Sequence, residues 1–322
     1  MKKVSILTPE TAVPSAVSGP RYMFTTANQF LEASGKRPLF DVQLVGCKRE
    51  VKLLDGVFSV HPDKTIDEVS DTDLVVIPAL FGDMKEAVEL NKKAIPWIVE
   101  QYAKGAEVAS LCVGSFLLAA SGLLDGKKCS THWAYYNEFK ETYPLVEVAD
   151  GGVITEDNGI YSSGGANSLW NLLLYLLEKY TDRNTAILAS KYFAIDIDRD
   201  SQSAFMIFKG QKEHKDEGIL MIQEFIENNY QEKITVDRLA GMGAMSRRGF
   251  ERRFKDATGN TAIEYLQRVK VEAAKRNFES TRMNVNDVMY EVGYSDTKAF
   301  RTVFKRLTGL TPIEYRNKYS KM

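Results

Sequence analysis

Phe250-Glu251-Arg252-Arg253-Phe254-Lys255-Asp256-Ala257-Thr258-Gly259-Asn260-Thr261-Ala262-Ile263-Glu264-Tyr265 returns fifty positions later as Phe300-Arg301-Thr302-Val303-Phe304-Lys305-Arg306-Leu307-Thr308-Gly309-Leu310-Thr311-Pro312-Ile313-Glu314-Tyr315. Both phenylalanines, the Lys, Thr-Gly, the next Thr and Ile-Glu-Tyr are kept. Upstream the offset is forty-nine: Val236, Leu239, Ala240 and Ser246 face Val285, Val288, Met289 and Ser295, so one residue is inserted just ahead of Phe300. Two copies are too few for a solenoid. Each copy reads as a short helix, a tight turn and a second helix, with Gly259 and Gly309 where C-terminal caps are wanted. Phenylalanines four apart share one helical face and would bury against the preceding helix. The opposite face carries Arg247, Arg248, Glu251, Arg252 and Lys255 in the first copy, and Thr297, Lys298, Arg301, Thr302 and Lys305 in the second. The stretch 246–258 holds five basic and two acidic residues, and 295–308 four and one, so each is net +3. Such helices fit the major groove of double-stranded DNA, where Arg and Lys pair with guanine and neighbouring cations hold phosphates. A lone basic helix is more often a solvated face; repetition at equivalent places favours DNA.

The rest of the 322-residue chain has another character. From Gln211 onward Lys+Arg number 21 against 16 Asp+Glu, and before it 21 against 27, so a basic module follows an acidic one. No apolar run approaches the roughly 18 residues that span a bilayer. Pro9 and Glu10 cut short the apolar start, which reads as a strand rather than a signal peptide. Three cysteines give no disulfide framework and point to a reducing cytoplasm. Strands are predicted at 4–7, 41–46, 74–79 and 108–112, with helices at 22–34 and 85–104 between them, the rhythm of βα units on a mainly parallel sheet. Asn158-Gly159 reads as a hairpin turn. Leu169–Leu177 is almost wholly apolar and predicts a helix buried in the core or in a subunit contact. The expected organisation is an α/β domain over 1–195, a linker over 196–216, and an all-α domain over 217–322 with helix-turn-helix units near 235–258 and 285–308.

One position in the acidic half has the look of chemistry. Cys112 follows a buried strand, and Val113-Gly114-Ser115 leads into a helix, whose N-terminus could stabilise a thiolate. His132 is the one plausible basic partner, and His61 and His214 form no ligand-spaced pair, so no metal site and no cofactor are expected.

The C-terminal residues resemble the DNA-binding domain of the AraC/XylS family. The resemblance rests on Val292-Gly293-Tyr294-Ser295-Asp296, Ala299-Phe300 and Phe304-Lys305-Arg306-Leu307-Thr308-Gly309-Leu310-Thr311-Pro312. It implies two helix-turn-helix units about a shared linker helix, here 262–280, with reading helices in successive major grooves. Ala244 stands where that family's turn glycine is usual, and Gly249 falls inside the first reading helix. Glycine in a helix interior costs about 1 kcal/mol, so the first unit is expected to be the softer.

The front half is similar to the ThiJ/PfpI (class I glutamine amidotransferase-like, flavodoxin-like) fold, through the Cys112 elbow, Ser121-Gly122-Leu123-Leu124-Asp125-Gly126-Lys127, Thr131-His132-Trp133 and Ser162-Ser163-Gly164-Gly165. Members use the elbow cysteine with a His or a carboxylate, often from the loop after the first strand. That loop, read here as Pro9–Pro20, offers Glu10 early and Ala16 near where the acid is wanted, which leaves a triad incomplete and the elbow idle. The domain order resembles the GlxA-like branch of regulators. This implies a homodimeric transcription activator that meets RNA polymerase and senses a small nitrogenous metabolite. Arg21, Tyr22, Cys112, His132 and Ser163 are the ligand candidates, Arg21 as a bidentate carboxylate clamp. The alternatives are a cysteine-dependent amidohydrolase or glyoxalase-like enzyme tethered to DNA, and a thiol redox sensor at Cys112.

Overall fold

The computed structural model describes residues 1–149, 151–196, 203, 206–208, 210–212 and 214–320. The chain divides into two compact units, Met1–Gln202 and Ser203–Met322. The division falls within the stretch read as a linker, much of which lies outside the described residues.

In the first unit the elements run β1 (Lys2–Leu7), α1 (Pro14–Ala33), β2 (Phe40–Gly46), β3 (Val51–Leu53), β4 (Phe58–Val60), β5 (Lys64–Thr65), β6 (Leu74–Ile77), α2 (Met84–Leu90), α3 (Ala94–Ala103) and β7 (Glu107–Leu111). There follow α4 (Ser115–Ala119), β8 (Lys128–Cys129), α5 (Tyr136–Thr142), β9 (Glu147–Val148), β10 (Ile154–Asp157), β11 (Ile160–Ser163), α6 (Leu169–Tyr180) and α7 (Arg183–Tyr192). Seven strands form one sheet in the order β10-β11-β7-β6-β1-β2-β5, parallel except where β10 pairs antiparallel with β11. All four residues of β6 and the last four of β7 are buried, as continuous apolar strands between helical layers must be. The parallel strands end at one rim, so the turns after β1, β6, β7 and β11 converge there.

Two local readings need correction, and one that left two alternatives is resolved. The stretch 9–20 is a loop only as far as Val13. Pro14 occupies the first turn of α1, where its missing N–H costs nothing, so Ala16 is a buried helical residue rather than part of an open loop. The helix expected over 85–104 is two, because Asn91, buried at the break, donates to Ala87 O and accepts the Glu10 N–H. Finally, α6 spends its leucines on its own unit: Leu169, Leu172, Leu173, Leu174, Leu176 and Leu177 all lie in the first core, so they are not free for a subunit contact. The Asn-Gly hairpin stands as read, with Asn158 and Gly159 both at positive φ.

The second unit is helical: α8 (Glu217–Asn229), α9 (Val236–Met242), α10 (Arg247–Thr258), α11 (Ala262–Ser280), α12 (Val285–Glu291), α13 (Thr297–Thr308) and α14 (Pro312–Tyr319). Two cores share α11. Its Ala262, Tyr265 and Val269 pack with Phe250 and Phe254, while its Val271, Ala273, Ala274 and Phe278 pack with Phe300 and Phe304. The sequence repeat is also a hydrogen-bond repeat. Gly259 and Gly309 cap α10 and α13 in the left-handed conformation, and Thr261–Glu264 and Thr311–Glu314 form capping boxes on the helices that follow. The buried Tyr265 and Tyr315 donate to Glu227 and Glu279.

The repeats part company at their turns. Ala244 sits at φ 50° and its counterpart Gly293 at φ 75°. Asp296, not Ser295, caps α13, so the inserted residue lies between Gly293 and Asp296. Gly249 occupies the first turn of α10, where its N–H meets the Ser246 cap, and its interior-helix penalty is correspondingly reduced. The softness expected of the first unit therefore resides in Ala244, because left-handed backbone strains a residue with a Cβ. Ala244→Gly is expected to raise the stability of the C-terminal unit by about 0.5–1 kcal/mol, the relieved strain exceeding the added freedom of the unfolded chain. Gly293→Ala should cost about 2–4 kcal/mol, since its Cβ would lie 2.1 Å from Gln231 O as well as in a left-handed turn. Urea midpoints of the two variants test both; equal midpoints would contradict the assignment.

Candidate nucleic-acid interface and effector cleft

Burial of the paired phenylalanines orients both reading helices. Phe250, Phe254, Phe300 and Phe304 are all fully buried, with ring centroids 5.4 Å apart in α10 and 5.6 Å apart in α13. Arg247, Arg248, Glu251, Arg252 and Lys255 are consequently exposed, as are Lys298, Arg301, Thr302 and Lys305, with Thr297 half-buried at the start of α13. Among the described residues Arg248, Arg252, Lys255, Lys298, Arg301 and Lys305 have no ion-pair partner, whereas Arg247 faces Glu251 at 3.4 Å and Asp237 at 3.6 Å. Six cations held to solvent without ion-pair partners among the described residues, on two equivalent helix faces, make an anion-binding surface.

The structure also sorts cations that the sequence could not. Arg253 is adjacent to Arg252, yet its guanidinium grips Asp216 with two bonds, Nε at 2.6 Å and Nη2 at 2.8 Å. Asp216 caps α8 as well, and the neighbouring guanidinium holds its carboxyl below the usual carboxylate range. Arg306 likewise donates to Gln267 on α11. A residue three positions from a buried Phe on the same helix stays near that face, and this was the available signal for Arg253.

In the first unit, Cys112 adopts a strained φ of 55° at the end of β7, and one 3-10 turn, Cys112–Gly114, leads into α4. Gly114 is obligatory, since a Cβ there would come within 2.5 Å of Pro78 O. The Cys112 N–H donates to Ser163 Oγ at 3.3 Å, bringing the ends of β7 and β11 together, and Ser115 donates to Thr131 at 2.8 Å beneath them. The thiol does not behave as the helix-terminus reading expects. Burial pushes Cys112 up to about 11, with only the Val113 N–H working against it, and α4 is too short to contribute a strong dipole. His132 caps the turn Trp133–Tyr135, its Nδ1 accepting the Ala134 N–H at 3.2 Å, and burial lowers its pKa. No ion pair or hydrogen bond links Cys112 with His132 among the described residues. Glu10 pairs with Lys48 at 2.8 Å. Arg21 is engaged by Asp63 at 2.5 Å, and Asp63 also accepts the Leu44 N–H. Tyr22 bonds Tyr192 and packs edge-on against Phe193, at the end of α7. The contacts of Arg21 and Tyr22 therefore run away from the elbow, while Cys112 and Ser163 meet.

Neutral, buried thiols alkylate slowly. At pH 7.5 iodoacetamide should label half-buried Cys47 first, with Cys112 at least about a hundredfold slower than a free thiol and rising only toward pH 11. Mass-spectrometric mapping that found Cys112 labelled within minutes at neutral pH would contradict this.

Comparison with known proteins adds two domain matches. The DJ-1/PfpI family matches residues 2–179 and a helix-turn-helix domain matches residues 239–318. The HTH-type transcriptional regulator GbdR of Pseudomonas aeruginosa is 25% identical over 272 residues, 83% of this chain and 72% of its own length. Isonitrile hydratase of Pseudomonas putida is 30% identical over 131 residues, 40% of this chain and 54% of its own. A ThiJ/PfpI family protein of Pseudomonas syringae superposes with a TM-score of 0.51 at 18% identity, covering 62% of this chain and 76% of that one, a likeness of fold. No helix among the described residues is long and apolar enough to cross a membrane.

Proposed function

The chain belongs to the DJ-1/PfpI family and ends in an AraC-type helix-turn-helix domain, and from this premise we propose a DNA-binding transcriptional regulator controlled by a small molecule in its front domain. One observation carries the reading: two repeats of one fold unit present unpaired cations, Arg252 and Arg301 among them, on faces that buried phenylalanines hold outward.

The two reading faces differ in chemistry at matched positions. Arg248 matches Lys298, Glu251 matches Arg301, Arg252 matches Thr302, and Lys255 matches Lys305. A carboxylate accepts from cytosine N4 where a guanidinium donates to guanine, so we assign the two faces unlike sub-sites rather than a repeated one. Lys255 and Lys305, identical in both, suit phosphates. The effector cleft is assigned to the rim where Cys112, Ser163 and His132 lie, in keeping with the placement of ligands at the strand ends of open α/β sheets. Arg21 and Tyr22 remain in the proposal only if the effector displaces Asp63 and Tyr192. Activation through RNA polymerase, homodimerisation, a cytoplasmic location and a nitrogenous effector belong to the same reading, with the α6 leucines already spent on the core.

A second reading, an enzyme or redox sensor at Cys112, draws on the left-handed elbow and on the similarity to isonitrile hydratase. Against it stand a thiol held neutral by burial and a histidine that, among the described residues, has no carboxylate bonded to it.

DNA affinity should fall steeply with salt, roughly a thousandfold or more between 50 and 200 mM for six phosphate contacts, measured by fluorescence anisotropy. A flat response would sink the DNA reading. Arg252→Ala should relax preference at one base position by about 1–3 kcal/mol in a selection from random duplexes, leaving the other positions unchanged.

A further inference from the structure

Three charged side chains on α11 are buried: Lys270, Glu272 and Lys275. Two of them satisfy each other. Glu272 and Lys275 pair at 2.9 Å and hold the incoming chain, Glu272 accepting the Phe208 N–H and Lys275 donating to Met206 O. Lys270 has no carboxylate partner among the described residues. Its ammonium donates to Gly293 O at 2.9 Å and lies 5.1 Å from the centre of the Tyr294 ring, and burial lowers its pKa. A lone buried ammonium is costly, so its position calls for a reason.

The carbonyl it grips belongs to the turn between α12 and α13. Gly293 closes that turn onto Tyr290 O, and Tyr294 N–H onto Met289 O. From the other side the Gln231 carbonyl, just beyond α8, presses on Gly293 so closely that only glycine fits. The turn is thus held between the end of α8, which belongs to the first core, and α11, which belongs to both. Tyr230 packs against both cores at the same place. Among the described residues the first turn has no such tether: Gly293 matches Ala244 at an offset of forty-nine, and the position forty-nine before Lys270 is Met221, on α8.

We propose that Lys270 is a positioning residue for DNA reading: by tethering the second turn to the shared helix, it fixes the orientation of α13 relative to α10 and so the spacing of the two sub-sites. This rests on the DNA-binding function argued above. Rotation of α12–α13 about α11 would break the ammonium–carbonyl bond and leave a buried charge without a partner, so the bond penalises other spacings. Methionine at 270 would keep the packing and remove the penalty.

The full chain and its variants are each taken through selection from a random duplex library. Wild type is expected to enrich a two-part motif with a single spacing. Lys270→Met should enrich the same two parts over several spacings and bind the wild-type motif about tenfold more weakly, while Lys270→Arg restores both. Hydrogen exchange should show the Gly293 and Tyr294 amides loosened in Lys270→Met with α13 still protected. A Lys270→Met motif identical in spacing, with affinity within about twofold, overturns the proposal alone. Loss of α13 protection in both Lys270→Met and Lys270→Gln overturns it too, by making Lys270 a folding residue. A wild type that enriches no motif removes the DNA-binding reading and this one with it.

Discussion

Each reading helix is held by two phenylalanines, one turn apart, pressed against a helix that both repeats share. A fully buried Phe is worth about 1.5–3 kcal/mol of transfer energy, so rotating either helix to turn its cations inward would forfeit several kcal/mol and strand charge in an apolar core. Phe250 with Phe254 and Phe300 with Phe304 therefore decide what α10 and α13 show to solvent. Because α11 supplies side chains to both cores, the two faces are parts of one object rather than beads on a string.

Repetition made this architecture, and small departures from repetition specialise it. The caps, the capping boxes and the tyrosine–glutamate bonds occur twice in matching places. The turns do not match: an alanine carries left-handed strain in the first, and the second has glycine, an extra residue and a buried ammonium. The outward faces diverge further, with acid against base at Glu251 and Arg301. Two copies of one motif thus present different surfaces about one shared helix.

In the front unit the geometry of a nucleophile elbow survives without the electrostatics that would make it work. Gly114 is demanded by the close approach of the end of β6, Cys112 adopts left-handed backbone beside it, and Ser163 ties the turn to β11. In that arrangement burial outweighs the one group that lowers the thiol's pKa, the Val113 N–H. The same rim is a place where strand ends, backbone donors and hydroxyls converge, as ligand sites of open α/β sheets do.

The twofold motif, the α/β rhythm of the front half, the Asn-Gly turn and the outward set on α10 and α13 were legible in the residue order, because helical and strand periods are local properties. What lay outside local reach were choices among equals. Arg252 and Arg253 are neighbours of one type, and only the position of Asp216, thirty-seven residues upstream, makes the second a latch. The apolar stretch in α6 could have faced a partner or its own core, and the packing of the sheet settled it. Pro14 and Asn91 moved helix boundaries through contacts with distant segments. Cys112 sat at an elbow either way, but whether its thiol is acid or inert depends on how much water reaches it, and solvation is set by everything packed around the site.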